Sequence, residues 1–313
     1  MKTGIFIFTK KDRKSNLKNT LYFLFKNYNH KYKHPVYILS NDLSNLDKEE
    51  ILLGIRGDCR NLVNFKCIVL KIPDGMNSDE IYKMSKYDIN TNWCNMDERH
   101  INYYMLFNFW EDIGHEFDYI MKISDDVYIE EPIKEDFFTL LDNRANNILF
   151  CILSKNCGFS SFSIIDFLKA NFDNNENIDS IFNKVEISDN NLINSFKLLH
   201  KDVFSKNYLN DQLILHEPTI PNDCFMVIRT SFITNKKMEP YLNKVKELNY
   251  VYKLKWSFNL VISVLSLLLA PEKVSRCIFK ISQEHHRCAN IENGKLISNI
   301  PDNYELSGCV SKK

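Results

Sequence analysis

The stretch FDYIMKISDDVYIEEP, residues 117–132, indicates the fold more clearly than any other part of this 313-residue chain. An apolar run from Tyr119 to Ile123 is typical of a buried strand, and two adjacent carboxylates, Asp125 and Asp126, follow it directly. A strand that ends in carboxylates at the edge of its sheet suits Mg²⁺ or Mn²⁺, because these ions prefer hard oxygen ligands. An acidic turn is the alternative, because Asp is also a favoured turn residue.

Composition narrows the class of protein. Hydrophobic residues make up 44% of the chain, which is enough for a sizeable core in one large α/β domain or two smaller ones. Basic and acidic residues number 40 each, and this balance gives no support for a nucleic-acid-binding surface. The sequence has only 8 Gly and no G-x-G-x-x-G or G-x-x-x-x-G-K-[ST] motif, which argues against a Rossmann dehydrogenase or a P-loop NTPase.

Several features predict a soluble cytoplasmic protein. The nine Cys include no C-x-x-C pair, so we expect free thiols in a reducing compartment rather than a structural zinc site. The N-terminal apolar stretch is too short for a signal peptide, and the run from Phe258 to Ala270 is too short to span a bilayer. The abundance of Asn, Lys and Ile indicates an AT-rich genome, and a virus is one candidate source.

Strand and helix patterns alternate along the first half of the chain. Apolar runs from Gly4 to Thr9, from Val36 to Leu39 and from Phe65 to Ile72 predict strands, with helical spacing between them. This alternation predicts an α/β fold with a mostly parallel central sheet flanked by helices, whose ligands bind at the carboxyl ends of the strands. Thr9 and Asp125 both lie at such ends, so one cleft is expected to hold both.

The second half gives fewer signals. We predict a loop from Asn171 to Ile178, a strand from Phe225 to Ile228 and helices from Glu239 to Val251 and from Phe258 to Ala270. The sequence shows neither an internal repeat nor a clear linker. We therefore expect a single domain over residues 1–288, followed by a loose C-terminal tail over residues 289–313.

Four segments carry a resemblance to a known family, and they keep the family's order along the chain. They are residues 4–42, which begin GIFIFTKKDR, 98–110 (ERHINYYMLFNFW), 119–129 (YIMKISDDVYI) and 250–288, which end HHRC. The chain resembles the fungal α-1,2-mannosyltransferases of glycosyltransferase family 15. The resemblance implies the GT-A nucleotide-sugar transferase fold, a GDP-mannose donor, Mn²⁺ and retention of anomeric configuration.

The chain departs from the family at the acidic motif and near the proposed catalytic group. Where the family has Glu-Pro-Asp-Val, residues 124–127 read Ser-Asp-Asp-Val, so Ser124 stands at the position of the family's metal-binding Glu. The Gly-Asp that follows the family's Trp is replaced after Trp256 by Ser and Phe. The segment that supplies the family's proposed catalytic Glu has no clean counterpart, and the nearest stretch contains Asp223.

The resemblance assigns candidate metal ligands. Asp126 occupies the position of the motif's retained Asp, and with Asp125 it is the candidate pair for Mn²⁺ or Mg²⁺ bridging the donor's diphosphate. A late His often completes the metal shell in GT-A enzymes, which makes His285 or His286 a further candidate ligand. The alternative for these two residues is an exposed or capping His pair.

Other residues are candidates for catalysis and donor binding. Asp223 could stabilise an oxocarbenium-like centre or act as nucleophile, and Glu217 is the second candidate for this role. The alternative for Asp223 is a simple turn.

Three groups of residues are candidates for binding the nucleotide sugar. They are Thr9, Lys10 and Lys11 after the first strand, Arg99, whose guanidinium could donate to two phosphate oxygens, and Tyr103 in the sugar pocket. Their alternatives are a solvated turn, a surface ion pair of Arg99 and core packing of Tyr103.

The first functional hypothesis is a metal-dependent glycosyltransferase that uses a nucleotide sugar and a glycan or glycoprotein acceptor. The second is a non-catalytic GT-A relative that binds a glycan or nucleotide without turnover. A metal-dependent nuclease or phosphatase is disfavoured, because Pro132 interrupts the stretch from Glu130 to Lys134 that would have to continue as a strand.

Overall fold

The computed structural model describes residues 1–73, 76–77, 79, 96–155, 158–172, 175–187, 213–283, 289–292, 295–298 and 306–307. The described strands are β1 (Thr3–Phe8), β2 (Val36–Ser40), β3 (Val63–Cys67), β4 (Tyr119–Ser124), β5 (Val127–Ile129), β6 (Ile148–Phe150), β7 (Leu153–Lys155), β8 (Phe182–Ile187), β9 (Leu213–Pro221), β10 (Phe225–Arg229), β11 (Val274–Arg276), β12 (Ile281–Gln283), β13 (Ala289–Glu292), β14 (Lys295–Ser298) and β15 (Leu306–Ser307).

The described α-helices surround the strands. They are α1 (Lys14–Leu24), α2 (His30–Tyr32), α3 (Asn45–Leu53), α4 (Met96–Tyr103), α5 (Phe109–Asp112), α6 (Phe137–Asn143), α7 (Gly158–Asn171), α8 (Asn175–Ile181), α9 (Thr230–Ile233), α10 (Glu239–Glu247), α11 (Tyr250–Lys253) and α12 (Phe258–Leu269). Within the described part of the chain, no helix is both long and apolar enough to cross a bilayer.

Seven strands form the central sheet in the order β11-β6-β10-β4-β1-β2-β3. The pairs β1–β2, β1–β4, β2–β3 and β6–β11 are parallel, and β10 runs antiparallel to both of its neighbours. A second sheet has the order β15-β7-β9-β8, and β5 and β12 form a separate antiparallel pair. The predicted α/β fold with a mostly parallel central sheet is therefore confirmed.

The central sheet has a hydrophobic cluster on each face. Ile5 and Ile7 of β1 pack in one cluster with Leu21 of α1, whereas Phe6 points to the other face and contacts Phe109 of α5. This alternation follows from the two-residue period of a strand. Burial of each such side chain stabilises the fold by about 1.5–3 kcal/mol, so β1 is held firmly beneath the carboxyl edge.

Three predictions about local structure were wrong. Residues 68–72, predicted as part of the strand that starts at Phe65, follow the end of β3 at Cys67 and lie in none of the described strands. Residues 175–178, predicted as loop, begin α8. The described residues of the predicted loose tail contain β13 and β14, which pair as an antiparallel hairpin, and β15, which pairs with β7. The Asn-Gly dipeptide at positions 293–294 is a strong hairpin signal, and it could have predicted this pair.

Gly4 in β1 offers a test of packing beneath the carboxyl edge. A Cβ atom at Gly4 would lie 2.9 Å from ring atoms of both Phe6 and Phe117. Because these rings are confined in the core, Gly4→Ala is expected to lower the free energy of unfolding in urea by about 1–3 kcal/mol. Gly57→Ala is the matched control, since no described atom lies within 4 Å of its added Cβ. Equal stability of the two variants would contradict the packing described.

Asp136 forms a partly buried polar network at the start of α6. Its Oδ2 accepts a hydrogen bond from the Thr139 N–H over 3.1 Å, and its Oδ1 accepts one from the Tyr28 hydroxyl over 2.6 Å. The same Oδ1 lies 2.8 Å from Nε2 of His34. Burial alone would raise the pKa of Asp136, but the hydrogen bonds from His34, Tyr28 and Thr139 outweigh burial and lower it to about 2.

This shift predicts a pH dependence of stability. A lowered carboxyl pKa stabilises the folded state above pH about 4, and the contribution is lost as the pH falls toward 2. Asp136→Asn is expected to cost about 2 kcal/mol at pH 7, and the difference from wild type should shrink between pH 5 and pH 2. Urea denaturation at each pH measures it, with the exposed Glu135→Gln as control. A difference that does not vary with pH would contradict the network.

Candidate active site

The carboxyl ends of β1 and β4 and the beginning of β10 meet at one edge of the central sheet. Thr9, directly after β1, donates from Oγ1 to Oδ2 of Asp125 over 2.8 Å. The Ser124 N–H donates to the Cys224 carbonyl over 2.8 Å, and this contact brings Asp223 to the same edge. The structure thus brings Thr9 and Asp125 into contact, as the strand pattern predicted, and places Asp223 next to Cys224 at the same edge of the sheet.

Asp125 and Asp126 are almost fully buried, with 4% and 1% of their surface exposed. The guanidinium of Arg13 forks onto Asp125, with Nε 3.0 Å from Oδ2 and Nη2 2.6 Å from Oδ1. The same Nη2 lies 3.2 Å from Oδ2 of Asp126. Burying two negative charges costs free energy unless they are paired. The contacts with Arg13 offset part of this cost.

Burial and neighbouring charges shift the pKa values of Asp125 and Arg13. Burial raises the pKa of Asp125 to about 6, with Arg13 opposing the shift and Asp126 adding to it. Burial would lower the pKa of Arg13, but the two carboxylates outweigh it and raise that pKa. With both carboxylates ionised, one guanidinium neutralises only half of their charge, so the edge retains an attraction for a further cation.

Neighbouring elements hold the carboxylates in place. Thr20 of α1 donates from Oγ1 to the Asp125 carbonyl over 2.7 Å. Gln283, at the end of β12, donates from Nε2 to Oδ1 of Asp126 over 3.3 Å. The Oε1 atom of Gln283 is buried and has no hydrogen-bond partner in the part of the chain that the structure describes.

These donors fit a hard divalent cation. Asp125 and Asp126 are adjacent carboxylates, and Gln283 adds an unpartnered buried oxygen beside them. Within the described ranges, no three His, Cys, Asp or Glu residues lie close enough to form a metal site, so these oxygens would have to be supplemented. His285 and His286 lie outside the described residues and follow Gln283 by two and three positions in the sequence.

Asp223 is fixed by an ion pair. Lys122 of β4 places its Nζ 2.7 Å from Oδ2 of Asp223 and also donates to the Asp223 carbonyl over 2.8 Å. The Asp223 side chain is 26% exposed, so it remains accessible from the carboxyl edge. Glu217 lies in β9 opposite Asn183 of β8, in the second sheet, and its side chain is outside the described part.

Lys10 and Lys11 follow Thr9 in the loop between β1 and α1. Nζ of Lys10 lies 2.9 Å from Asp97, whose side chain is exposed. The Lys11 N–H donates to Oδ1 of Asp42 over 3.0 Å, and its exposed Nζ lies 3.9 Å from Asp47. Both lysine side chains therefore contact acidic side chains, and both residues lie between β1 and Arg13.

Arg99 and Tyr103 of α4 pack into the core. Arg99 is 2% exposed and donates from Nη1 to the Tyr252 carbonyl over 3.0 Å, so the alternative of a surface ion pair is wrong. Tyr103 is buried with its ring centroid 5.6 Å from that of Tyr252, as the core-packing alternative predicted. Tyr103 also lines a cavity of about 590 Å³ with Lys66 and Tyr104. The expected phosphate fork at Arg99 would require this helix contact to change.

Sequence reasoning missed Arg13, Gln283 and Lys122. Arg13 lies four residues after Thr9 in a loop where any of several basic side chains could have faced the carboxylates. Lys122 interrupts the apolar run of β4, and a charged residue inside a central strand is a signal that it has a buried partner. Gln283 gave no signal, because its role depends on the pairing of β12 with β5.

Solved structures place this architecture among the GT-A glycosyltransferase folds. The mannosyltransferase Ktr4p from S. cerevisiae, solved in complex with GDP, superposes with a TM-score of 0.67 at 16% identity, covering 90% of this chain and 71% of that one. Core-mannan synthase A (CmsA/Ktr4) from Aspergillus fumigatus, solved in a Mn/GDP form, gives a TM-score of 0.67 at 12% identity over 90% and 74% of the chains.

At these identities the likeness establishes the fold. No protein-family profile and no curated protein matches the sequence of this chain. The resemblance to fungal mannosyltransferases indicated by the four collinear segments is thus confirmed at the level of the fold.

Proposed function

We propose that this chain is a metal-dependent glycosyltransferase that moves a sugar from a nucleotide-sugar donor to a hydroxyl of a glycan or glycoprotein. GDP-mannose is the donor we propose first, with retention of anomeric configuration. The structures in complex with GDP and in the Mn/GDP form, which share the fold, support this choice. The observation that carries the proposal is the buried pair Asp125 and Asp126 at the carboxyl edge of the sheet.

Asp125 and Asp126 would hold Mn²⁺ or Mg²⁺, with Gln283 Oε1 and either His285 or His286 as further ligands. When bound, the ion would act as a Lewis acid that offsets negative charge on the departing nucleoside diphosphate. The two His follow Gln283 closely enough in the sequence for chain length to permit either one to reach the pair.

Asp223 is the proposed catalytic carboxylate. Its ion pair with Lys122 fixes its position at the same edge as the metal-ligand pair. There it would stabilise positive charge at the anomeric carbon or attack that carbon as a nucleophile. Glu217 remains the reserve candidate. Thr9, Lys10 and Lys11 would contact the nucleotide, and Arg99 and Tyr103 are proposed only for a bound state in which α4 shifts.

Release of GDP tests the function directly. With GDP-mannose, Mn²⁺ and a simple mannoside as acceptor, we expect GDP to accumulate, and chelation of Mn²⁺ should stop it. UDP-glucose serves as the matched donor control and should give little release. Absence of nucleotide release from every nucleotide sugar offered would contradict the proposed activity.

A non-catalytic binding protein is the second candidate function. It is favoured by one observation, namely that Arg13 already contacts three of the four oxygens of the carboxylate pair. Such a protein would still bind GDP or a GDP-sugar, but it would release no GDP from the donor. The same assay, combined with a binding measurement, therefore separates the two functions.

A further inference from the structure

Arg13 occupies the atoms that a metal ion would need. Its Nε and Nη2 contact Oδ2 and Oδ1 of Asp125 at 3.0 and 2.6 Å, and Nη2 also lies 3.2 Å from Oδ2 of Asp126. A carboxylate oxygen that coordinates a cation at about 2.0–2.2 Å leaves little room for a guanidinium on the same lone pair. An ion and Arg13 therefore compete for the same oxygens.

Arg13 does not contact the two carboxylates equally. Asp125 receives the short contacts of Arg13 together with the 2.8 Å hydrogen bond from Thr9. The described contacts of Asp126 with Arg13 and Gln283 are longer, at 3.2 and 3.3 Å. Longer contacts of this kind are weaker, so Arg13 binds Asp125 more tightly than it binds Asp126.

The Arg13 side chain is able to leave the pair. It is 37% exposed, whereas the carboxylates it contacts are 6% and 2% exposed at their side chains. It also extends from the loop residue directly before α1, so its displacement does not require the sheet to move. Arg13 is thus the more exposed partner of two buried carboxylates.

Charge balance favours the exchange. Asp125 and Asp126 carry two negative charges when ionised, and Arg13 supplies one positive charge. A divalent ion in place of the guanidinium would neutralise both carboxylates and leave Arg13 free to face a bound diphosphate. This charge arrangement suits a donor whose phosphates are themselves strongly negative.

We propose that Arg13 is an internal counter-cation that competes with the divalent ion for Asp125 and Asp126 and is displaced when the ion binds. This inference rests on the proposed metal site and deepens it. Arg13 keeps the two carboxylates in ligand geometry in the absence of metal, and it weakens metal binding until the donor arrives. It is a positioning residue, since it acts through the ligands.

Titration of Mn²⁺ without nucleotide tests the exchange, with the EPR signal of free Mn²⁺ as readout. Arg13→Met is expected to bind Mn²⁺ about tenfold or more tightly than wild type, because the competing charge is gone. Lys18→Met on α1 removes one positive charge that pairs with Glu50 instead, and its Mn²⁺ affinity should stay close to that of wild type. Equal or weaker Mn²⁺ binding by a folded Arg13→Met would overturn the proposal.

Arg13→Lys is the second variant, for use if Arg13→Met does not fold. Lysine retains the charge but cannot make the three contacts of the fork, so Mn²⁺ binding should tighten by a smaller factor. Far-UV circular dichroism establishes that each variant is folded. Equal Mn²⁺ affinity in all folded variants would refute the exchange and leave the proposed function intact. Failure of every variant and of wild type to bind Mn²⁺ would refute both the exchange and the metal site.

Discussion

Asp126→Asn is expected to lower the rate of sugar transfer by about a thousandfold or more. The substitution keeps the size of the side chain but removes the charge of one of the two carboxylates that we propose as ligands of the ion. Loss of several kcal/mol of charge stabilisation in the transition state corresponds to about three powers of ten in rate. Initial rates of GDP release from GDP-mannose with saturating Mn²⁺ measure the effect.

Asp118→Asn is the matched control for this variant. Asp118 lies directly before β4, at the opposite end of the strand from Asp126, and its side chain is 62% exposed. Its replacement should change the free energy of unfolding by no more than about 0.5 kcal/mol and leave transfer unchanged. Wild-type rates in a folded Asp126→Asn variant would show that this carboxylate does not take part in the reaction.

Asp223→Asn is expected to reduce the transfer rate by about 10²–10⁴-fold, in the range that a positioned carboxylate contributes to catalysis. The affinity for GDP in the presence of Mn²⁺ should remain near that of wild type, because Asp223 pairs with Lys122 rather than with the metal-ligand pair. Steady-state kinetics and calorimetric titration of GDP separate these two effects. A defect in both would assign Asp223 to donor binding instead.

Glu217→Gln decides between the two candidate carboxylates. If Asp223→Asn retains its rate and Glu217→Gln loses it, the reserve assignment replaces the first one. A normal rate in both variants would contradict the proposal that either residue is the catalytic group.

Lys122→Met should lower the transfer rate through its effect on Asp223, because the ion pair at 2.7 Å is what fixes that carboxylate in the structure.

The fold was predictable where short apolar runs alternate with helical spacing. The strands near Gly4, Val36 and Tyr119 follow from β-branched and aromatic residues bounded by polar ones, and their parallel order follows from the intervening helices. The C-terminal strands are only two to four residues long, too short for periodicity to be visible, so the Asn-Gly turn is the signal that could have indicated β13 and β14. Short strands depend on their pairing partners more than on their own composition.

The candidate site was predictable only in part. The end of a strand can be read from neighbouring residues in the sequence, whereas the partners of a side chain come from distant parts of the chain. The meeting of Thr9 with Asp125 follows from two parallel strands that end together. Arg13 contacts Asp125 across 112 positions of sequence, and Gln283 contacts Asp126 across 157. No local pattern specifies which of several basic residues in the loop after β1 turns toward the pair.

Calorimetric titration of GDP with and without Mn²⁺ tests the central claim most directly, since it asks whether the carboxylate edge holds the diphosphate through a divalent ion. We predict that Mn²⁺ tightens GDP binding by about tenfold or more in wild type and has no such effect in Asp126→Asn. Equal GDP affinity of wild type in Mn²⁺ and in a chelator would contradict the account.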